Sequence, residues 1–184
     1  EHARYLRWQG SASGVEQEIL DAINIERTLD SRSELMVSLT HLGRLRVQNH
    51  EYERAIEPLA EATRLFEVNS SMILNDLPQM FLAIAHRRNG NFEKAGMYQV
   101  QAIEAAQELR FAQGKTRNGW YNVGKKLYNQ THLHAAELAF LVCRSLSDKL
   151  SYEPNYYLAK CYIDADLNDE AKELIESSLQ QAMD

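Results

Sequence analysis

The side chains that could do chemistry are few and dispersed. His132 and His134 straddle a turn, and no Cys, Asp or Glu stands at ligand spacing on the same helical face. Zinc wants about four convergent ligands, so neither a metal nor any other cofactor is expected. His2, His41, His50 and His86 are scattered, and there is no Ser-His-Asp order, glycine-rich phosphate loop or HExxH. Asp164, Asp166, Asp169 and Glu170 gather at a turn but lack the glycine and spacing of a calcium loop. They read as a solvated helix start. Cys143 and Cys161 fall on packing positions. The expectation is a protein that is not an enzyme.

What does recur is a mixture of amides, aromatics and cations. Asn118, Asn122 and Asn129 stack on one face of one helix beside Tyr121, Lys125 and Tyr128. Amides can hydrogen-bond an extended backbone whatever its side chains. Cations add charge-assisted bonds to carboxylates, and aromatics supply anchors. That chemistry belongs to binding.

The elements that position these residues follow from an internal repeat. Gly43 recurs as Ala83, Gly124 and Ala159; Ala55 recurs as Ala95, Ala136 and Ala171. Both series step by 40, 41 and 35 residues, a period that means stacked supersecondary units. Whole repeats are expected over about 33–68, 72–111, 114–148 and 152–183. Counting back 40 residues from Ala55, Leu59 and Ala62 gives Val15, Ile19 and Ala22, so 1–30 is a partial repeat. Within it, Gly10-Ser11-Ala12-Ser13-Gly14 reads as a turn between a short helix and a second helix of about 15–29. Val15, Ile19, Ala22, Ile23 and Leu29 form that second helix's buried stripe.

Each whole repeat reads as two helices. Leu35, Leu39, Leu42 and Gly43 pack on the first helix of the first repeat; Ala55, Ile56, Leu59, Ala62 and Phe66 pack on its second, with Pro58 inside. Ser70 or Ser71 can cap the next helix, or Asp76 with Pro78 close behind. Leu82, Ala83 and Ala85 pack there, followed by a turn at Asn89-Gly90-Asn91. Phe92, Ala95, Val100, Ala102, Ile103 and Ala106 line the partner helix. Trp120, Val123, Gly124 and Leu127, then Leu133, Ala136, Phe140 and Cys143, line the third pair. Pro154 suits a first turn; Leu158, Ala159 and Tyr162, then Ala171, Leu174, Ile175 and Leu179, line the last. A turn glycine occurs once, as Gly90, where the other whole repeats hold His50, Thr131 and Asp166. No segment alternates like a strand, so the fold class is all-α.

A two-helix unit with a small residue in the first helix and a fixed alanine in the second resembles the tetratricopeptide repeat (TPR) family. Leu39, Leu42, Gly43, Tyr52, Ala55 and Ala62 carry the match, as do Trp120, Val123, Gly124, Ala136 and Phe140, and Leu158, Ala159, Tyr162 and Ala171. The resemblance implies a right-handed α-solenoid of antiparallel helix pairs, about four and a half repeats in a single domain over 1–184. Steps of 40 and 41 exceed that family's usual 34, as in its signalling and regulatory branch. The resemblance also implies that first helices line a concave surface and second helices a convex one. The lysine/asparagine clamp of the chaperone-binding branch would fall on Thr40, Arg44, Phe81, Asn118 and Asn122, which lack its lysines.

Charge follows this division. First helices hold Arg44, Arg46, Arg87, Arg88, Lys115, Arg117, Lys125, Lys126 and Lys160 against Glu34, Asp76, Glu153 and Asp164; second helices are acidic. A chain of net charge −6 is thus expected to carry a positive groove, which focuses its field. The expected groove face is Thr40, Arg44, Val47 and Gln48; Met80, Ile84, Arg87 and Arg88; Asn118, Tyr121, Asn122, Lys125, Tyr128 and Asn129; and Tyr156, Tyr157 and Lys160.

Apolar content of 45% and charged content of 25% suit a folded chain. The longest nearly apolar run, Ala135 to Cys143, is broken by Glu137 and too short to span a bilayer. Two cysteines without a disulfide framework suit a reducing compartment, so a cytoplasmic location is expected. The chain begins at Glu1, as an excised piece of a longer protein would. The reading is a protein–protein interaction module, the regulatory or sensing part of a larger signalling or transcription-control protein, whose groove binds a peptide with acidic and apolar residues. The alternatives are a scaffold that self-associates, for instance as a homodimer, and single-stranded RNA binding, which the net charge opposes.

Overall fold

The computed structural model describes residues 2–66, 73–74, 77–109, 112, 115–146 and 152–183, with side chains placed over 14–66, 73–74, 77–109, 112, 115–146 and 154–180. Among the described residues the regular structure is entirely helical: α1 (His2–Thr28), α2 (Arg32–Gln48), α3 (Tyr52–Leu65), α4 (Pro78–Arg88), α5 (Phe92–Glu108), α6 (Arg117–Asn129), α7 (Leu133–Ser145), α8 (Tyr152–Asp164) and α9 (Asn168–Met183). The caps expected at Ser70, Ser71 and Asp76 lie outside the described residues. Pro78 takes the first position of α4, where its missing N–H costs nothing.

The helices gather into two compact units, 1–67 with 76–101, and 68–75 with 102–184; the division falls inside α5. In the first unit α1 packs on α2, α2 on α3, α3 on α4, and α4 also on α2. In the second, α6 packs on α7, α7 on α8 and α8 on α9, while α6 also touches α8. The first helices of successive hairpins therefore meet within each unit.

Among the described residues one turn recurs five times. Asp30, His50, Gly90, Thr131 and Asp166 all have positive φ, between 53° and 74°. In each case the next residue's N–H reaches back across the turn: Glu51 to the Arg46 carbonyl at 2.8 Å, Asn91 to His86 at 2.9 Å, His132 to Leu127 at 3.0 Å, Leu167 to Tyr162 at 2.8 Å and Ser31 to Glu26 at 3.1 Å. This is the Schellman closure, which satisfies carbonyls left open at a helix end. The recurring alanines then enter the following helix in one register. Ala55, Ala95, Ala136 and Ala171 donate to the carbonyls of Glu51, Asn91, His132 and Leu167.

The small residue of the first helix permits close approach of the second. A Cβ on Gly43 would fall inside the side chain of Leu59, and one on Gly124 would stand 2.6–2.8 Å from three ring carbons of Phe140. Leu59 and Phe140 are fully buried. They are 16 residues beyond their respective glycines, so the same contact is built twice.

Four features differ from the sequence reading. The Gly10–Gly14 stretch is not a turn, because α1 runs through it. Glycine costs only about 1 kcal/mol relative to alanine inside a helix, and alanine and serine between the glycines tolerate helix. Of the stripe expected on that helix, Ile23 is buried and Ile19 and Ala22 are half-buried, but Val15 and Leu29 are exposed. On α5, Phe92 and Val100 are exposed while Ala95, Ala102 and Ala106 are buried. At 3.6 residues per turn Val100 lies nearly opposite Ala95, and Phe92 opens the helix. On α9, Ile175 and Leu179 are likewise exposed.

Two substitutions test this geometry. Gly124→Ala is expected to destabilise the chain by about 1–3 kcal/mol, the usual cost of overpacking a filled core, despite its better helix propensity; denaturant unfolding measures it, and adding Phe140→Leu should recover part of the loss. Thr131→Gly is expected to stabilise by about 0.5–1 kcal/mol, because a β-branched residue is held in the left-handed region there. A lower unfolding midpoint for Thr131→Gly would contradict the turn.

Candidate functional site

Helix α6 is fixed at its start by Thr116, whose hydroxyl accepts the Gly119 N–H at 3.4 Å. Trp120 and Gly124 are buried and set its rotation. One residue further round, Tyr121, Lys125 and Tyr128 repeat at helical spacing and form a single stripe. On α8 the buried residues Leu158, Ala159, Cys161 and Tyr162 leave Tyr156, Tyr157, Lys160 and Asp164 towards the outside, exposed or half-buried. Because α6 touches α8, the two stripes meet, with Phe140 of α7 beneath them.

The result is an aromatic cluster carrying two ammonium groups. Tyr157 stacks on Phe140 at 5.2 Å between ring centroids and 16° between planes. Tyr121, Tyr128 and Tyr156 meet Tyr157 edge to face at 5.9, 5.8 and 5.3 Å. Lys125 Nζ lies 5.4 Å from the Tyr121 centroid and 5.8 Å from that of Tyr157. Lys160 Nζ lies 4.7 Å from Tyr128, 5.5 Å from Tyr156 and 5.6 Å from Tyr157. These are cation–π distances. Both ammoniums therefore converge on the ring of Tyr157. Neither forms an ion pair among the described residues.

The rim carries one acid. The Tyr128 hydroxyl donates to Asp164 Oδ2 at 2.5 Å. That hydrogen bond, with burial and the carboxylate's charge behind it, pushes the phenol up to about 12. Asn118, Asn122 and Asn129 are exposed on the same helix.

The remaining expected groove residues divide differently. Arg44, Arg87 and Arg88 are half-buried and Gln48 is exposed, all in the first unit; the Arg88 guanidinium lies 5.8 Å over Tyr52. Thr40, Val47, Met80 and Ile84 are corrected, because all four are buried. The Thr40 hydroxyl turns back to the Met36 carbonyl at 2.8 Å. Helix α4 packs on both α2 and α3, so eight of its eleven residues are buried, Met80 and Ile84 among them. A helix enclosed on several sides has no broad solvent face.

The charge partition is also altered. Arg46 is paired with Glu16 at 2.9 Å, and Arg54 of α3 approaches Glu16 at 3.2 Å as well as Glu51. That cation of a first helix is spent on α1. Sequence reading missed Phe140 and Asp164 as parts of the cluster. Phe140 carried a packing signal only, but Tyr157, Lys160 and Asp164 stand at i, i+3 and i+7 and could have been joined.

Cys143 and Cys161 are buried and unbridged. The Cys143 thiol lies 3.4 Å from the Arg117 carbonyl. Burial first, then Glu137 and Asp164, pushes the Cys161 thiol up to about 12. Among the described residues no group of three or more His, Cys, Asp or Glu could hold a metal ion, and no helix is long and apolar enough to cross a membrane.

No protein-family model matches the chain, and no curated protein does. Among solved structures, the nearly identical TPR-like repeats of a Podosopora anserina protein align at 18% identity over 99% of this chain and 92% of that one, with a TM-score of 0.48. A substituted form of the same repeats aligns at 19% identity over 98% and 91%, with a TM-score of 0.49. MamA protein aligns at 16% identity over 90% and 91%, with a TM-score of 0.35.

A nucleophilic role for either cysteine would need thiolate. The folded chain is therefore expected to react negligibly with an aromatic disulfide reagent at neutral pH and to release two equivalents of thiol on denaturation. Fast reaction of Cys161 in the native state would contradict its enclosure.

Proposed function

We propose that the chain is a protein–protein interaction module of TPR-like helical hairpins, and that the Tyr/Lys cluster of α6 and α8 grips a peptide segment with acidic and apolar residues. The observation that carries this is the convergence of Lys125 and Lys160 on Tyr157 without an acidic partner for either ammonium among the described residues. Tyrosines offer wide contact area at low entropic cost, and the cations select carboxylates. Asn118, Asn122 and Asn129 sit on the same helix, where amides can bond the main chain of an extended segment. Within a longer polypeptide such a module serves as the regulatory or sensing part of a signalling or transcription-control protein.

A second reading has its own observation. Ile163 on α8 and Ile175 and Leu179 on α9 are exposed, between 43% and 59%. That apolar set favours end-to-end self-association, including a homodimer, as in a scaffold.

The two readings separate in one set of measurements. A fluorescent peptide alternating Glu with Leu and Phe is expected to bind, and Lys125→Glu with Lys160→Glu to weaken it by about tenfold or more, with a steep loss as salt rises. Unchanged affinity in the double variant sinks the cluster's role. Sedimentation at two concentrations reads self-association directly, and Leu179→Glu should abolish it if the α9 face is responsible.

A further inference from the structure

The opposite side of α6 carries a second feature. Val123, Lys126, Leu127 and Gln130 repeat at i, i+3, i+4 and i+7, a stripe distinct from Tyr121, Lys125 and Tyr128. Together with Ile73, Leu74 and the first turn of α7 at Ala135, this stripe lines a cleft of about 350 Å³ within the second unit. The volume falls in the range of small-molecule pockets, roughly 300–1,000 Å³.

Its walls are apolar and partly wet. Val123 and Leu127 are only half-buried, and Ile73 is 53% exposed. Apolar surface held open in this way gains from being covered. The polar members of the lining are Lys115, Lys126 and Gln130, with no acid among them. Long lysines lay their methylenes along such walls and keep the ammonium at the edge. α6 adds no carboxylate, since its charged residues are Arg117, Lys125 and Lys126. The cleft also abuts the start of α7, where the N-cap His132 provides no side-chain cap. The positive end of that helix dipole adds to the same field.

We infer that this cleft is a binding site for a small amphipathic monoanion, an aliphatic chain ending in a carboxylate. The aliphatic chain lies against Val123 and Leu127, and the carboxylate meets Lys126 and the Gln130 amide. The site is separate from the Tyr/Lys cluster and stands whether or not that cluster binds peptide.

The test titrates the 184-residue chain with sodium decanoate below its micelle-forming concentration, in parallel with decanol and decyltrimethylammonium, by amide NMR. Saturable shifts centred on Val123, Leu127 and Ala135 are expected with decanoate, and binding at least about tenfold weaker with each of the other two. Lys126→Glu should cost decanoate about tenfold. Two filling variants, Val123→Trp and Gln130→Trp, should abolish the shifts; Gln130 is exposed, so the second leaves the core untouched. The inference is overturned by any of four results: no saturable shift, equal binding of decanol or the ammonium, shifts centred elsewhere, or unchanged binding in a folded filling variant. A peptide with one apolar and one acidic residue that displaces decanoate only from the Tyr/Lys cluster, leaving the Val123 shifts in place, supports two separate sites.

Discussion

Helix α7 can press its phenylalanine against α6 only because position 124 has no side chain. Everything about the aromatic cluster descends from that contact. Phe140 sits where a Cβ on Gly124 would stand 2.6 Å away; Tyr157 stacks on Phe140; Lys125 and Lys160 rest over Tyr157. A missing methyl on α6 therefore sets the position of two charges, Lys125 on the same helix and Lys160 on α8. Interiors are close-packed, so such a displacement is transmitted rather than absorbed. In the first unit the same contact joins Gly43 to Leu59, which is aliphatic and offers no ring to stack upon.

Charge in this protein is less available than a count along the chain implies. Arg46 and Arg54 share the carboxylate of Glu16, and Arg27 meets Glu61 at 2.6 Å. These pairs tie α1 to α2 and α3 within the first unit. In the second unit Lys125 of α6 and Lys160 of α8 lie over π faces instead. A cation over an aromatic ring keeps most of its outward field, whereas one paired with a carboxylate does not. The distinction matters more for recognition than the net charge of −6.

The helices and their turns were legible because two spacings coincide. Small residues and alanines share one irregular series, and backbone closure at each turn keeps the two helices in register. The rotation of α6 and α8 was legible too, since Trp120, Gly124 and Leu158 fix it, and Tyr121, Lys125, Tyr128, Tyr156 and Lys160 do form one cluster. What could not be read was how many neighbours a helix has. Helix α4 packs on two others, which hides Met80 and Ile84; α5 and α9 leave Val100 and Leu179 in water. Periodicity reports which face of a helix is apolar, and enclosure depends on elements far away in the chain. The glycines near the start of α1 misled for the opposite reason, since a local turn signal without a returning partner helix does not break a continuous backbone ladder.

The five turns hold Asp, His, Gly, Thr and Asp at the one position with positive φ. Only one of these is the residue that the conformation favours. The hairpin is thus specified by main-chain closure, and its apex accepts several side chains at a modest cost in strain. A chain organised in this way can drift far in composition while its geometry stays in step. The register of each hairpin is held in distances between residues more than in the residues themselves.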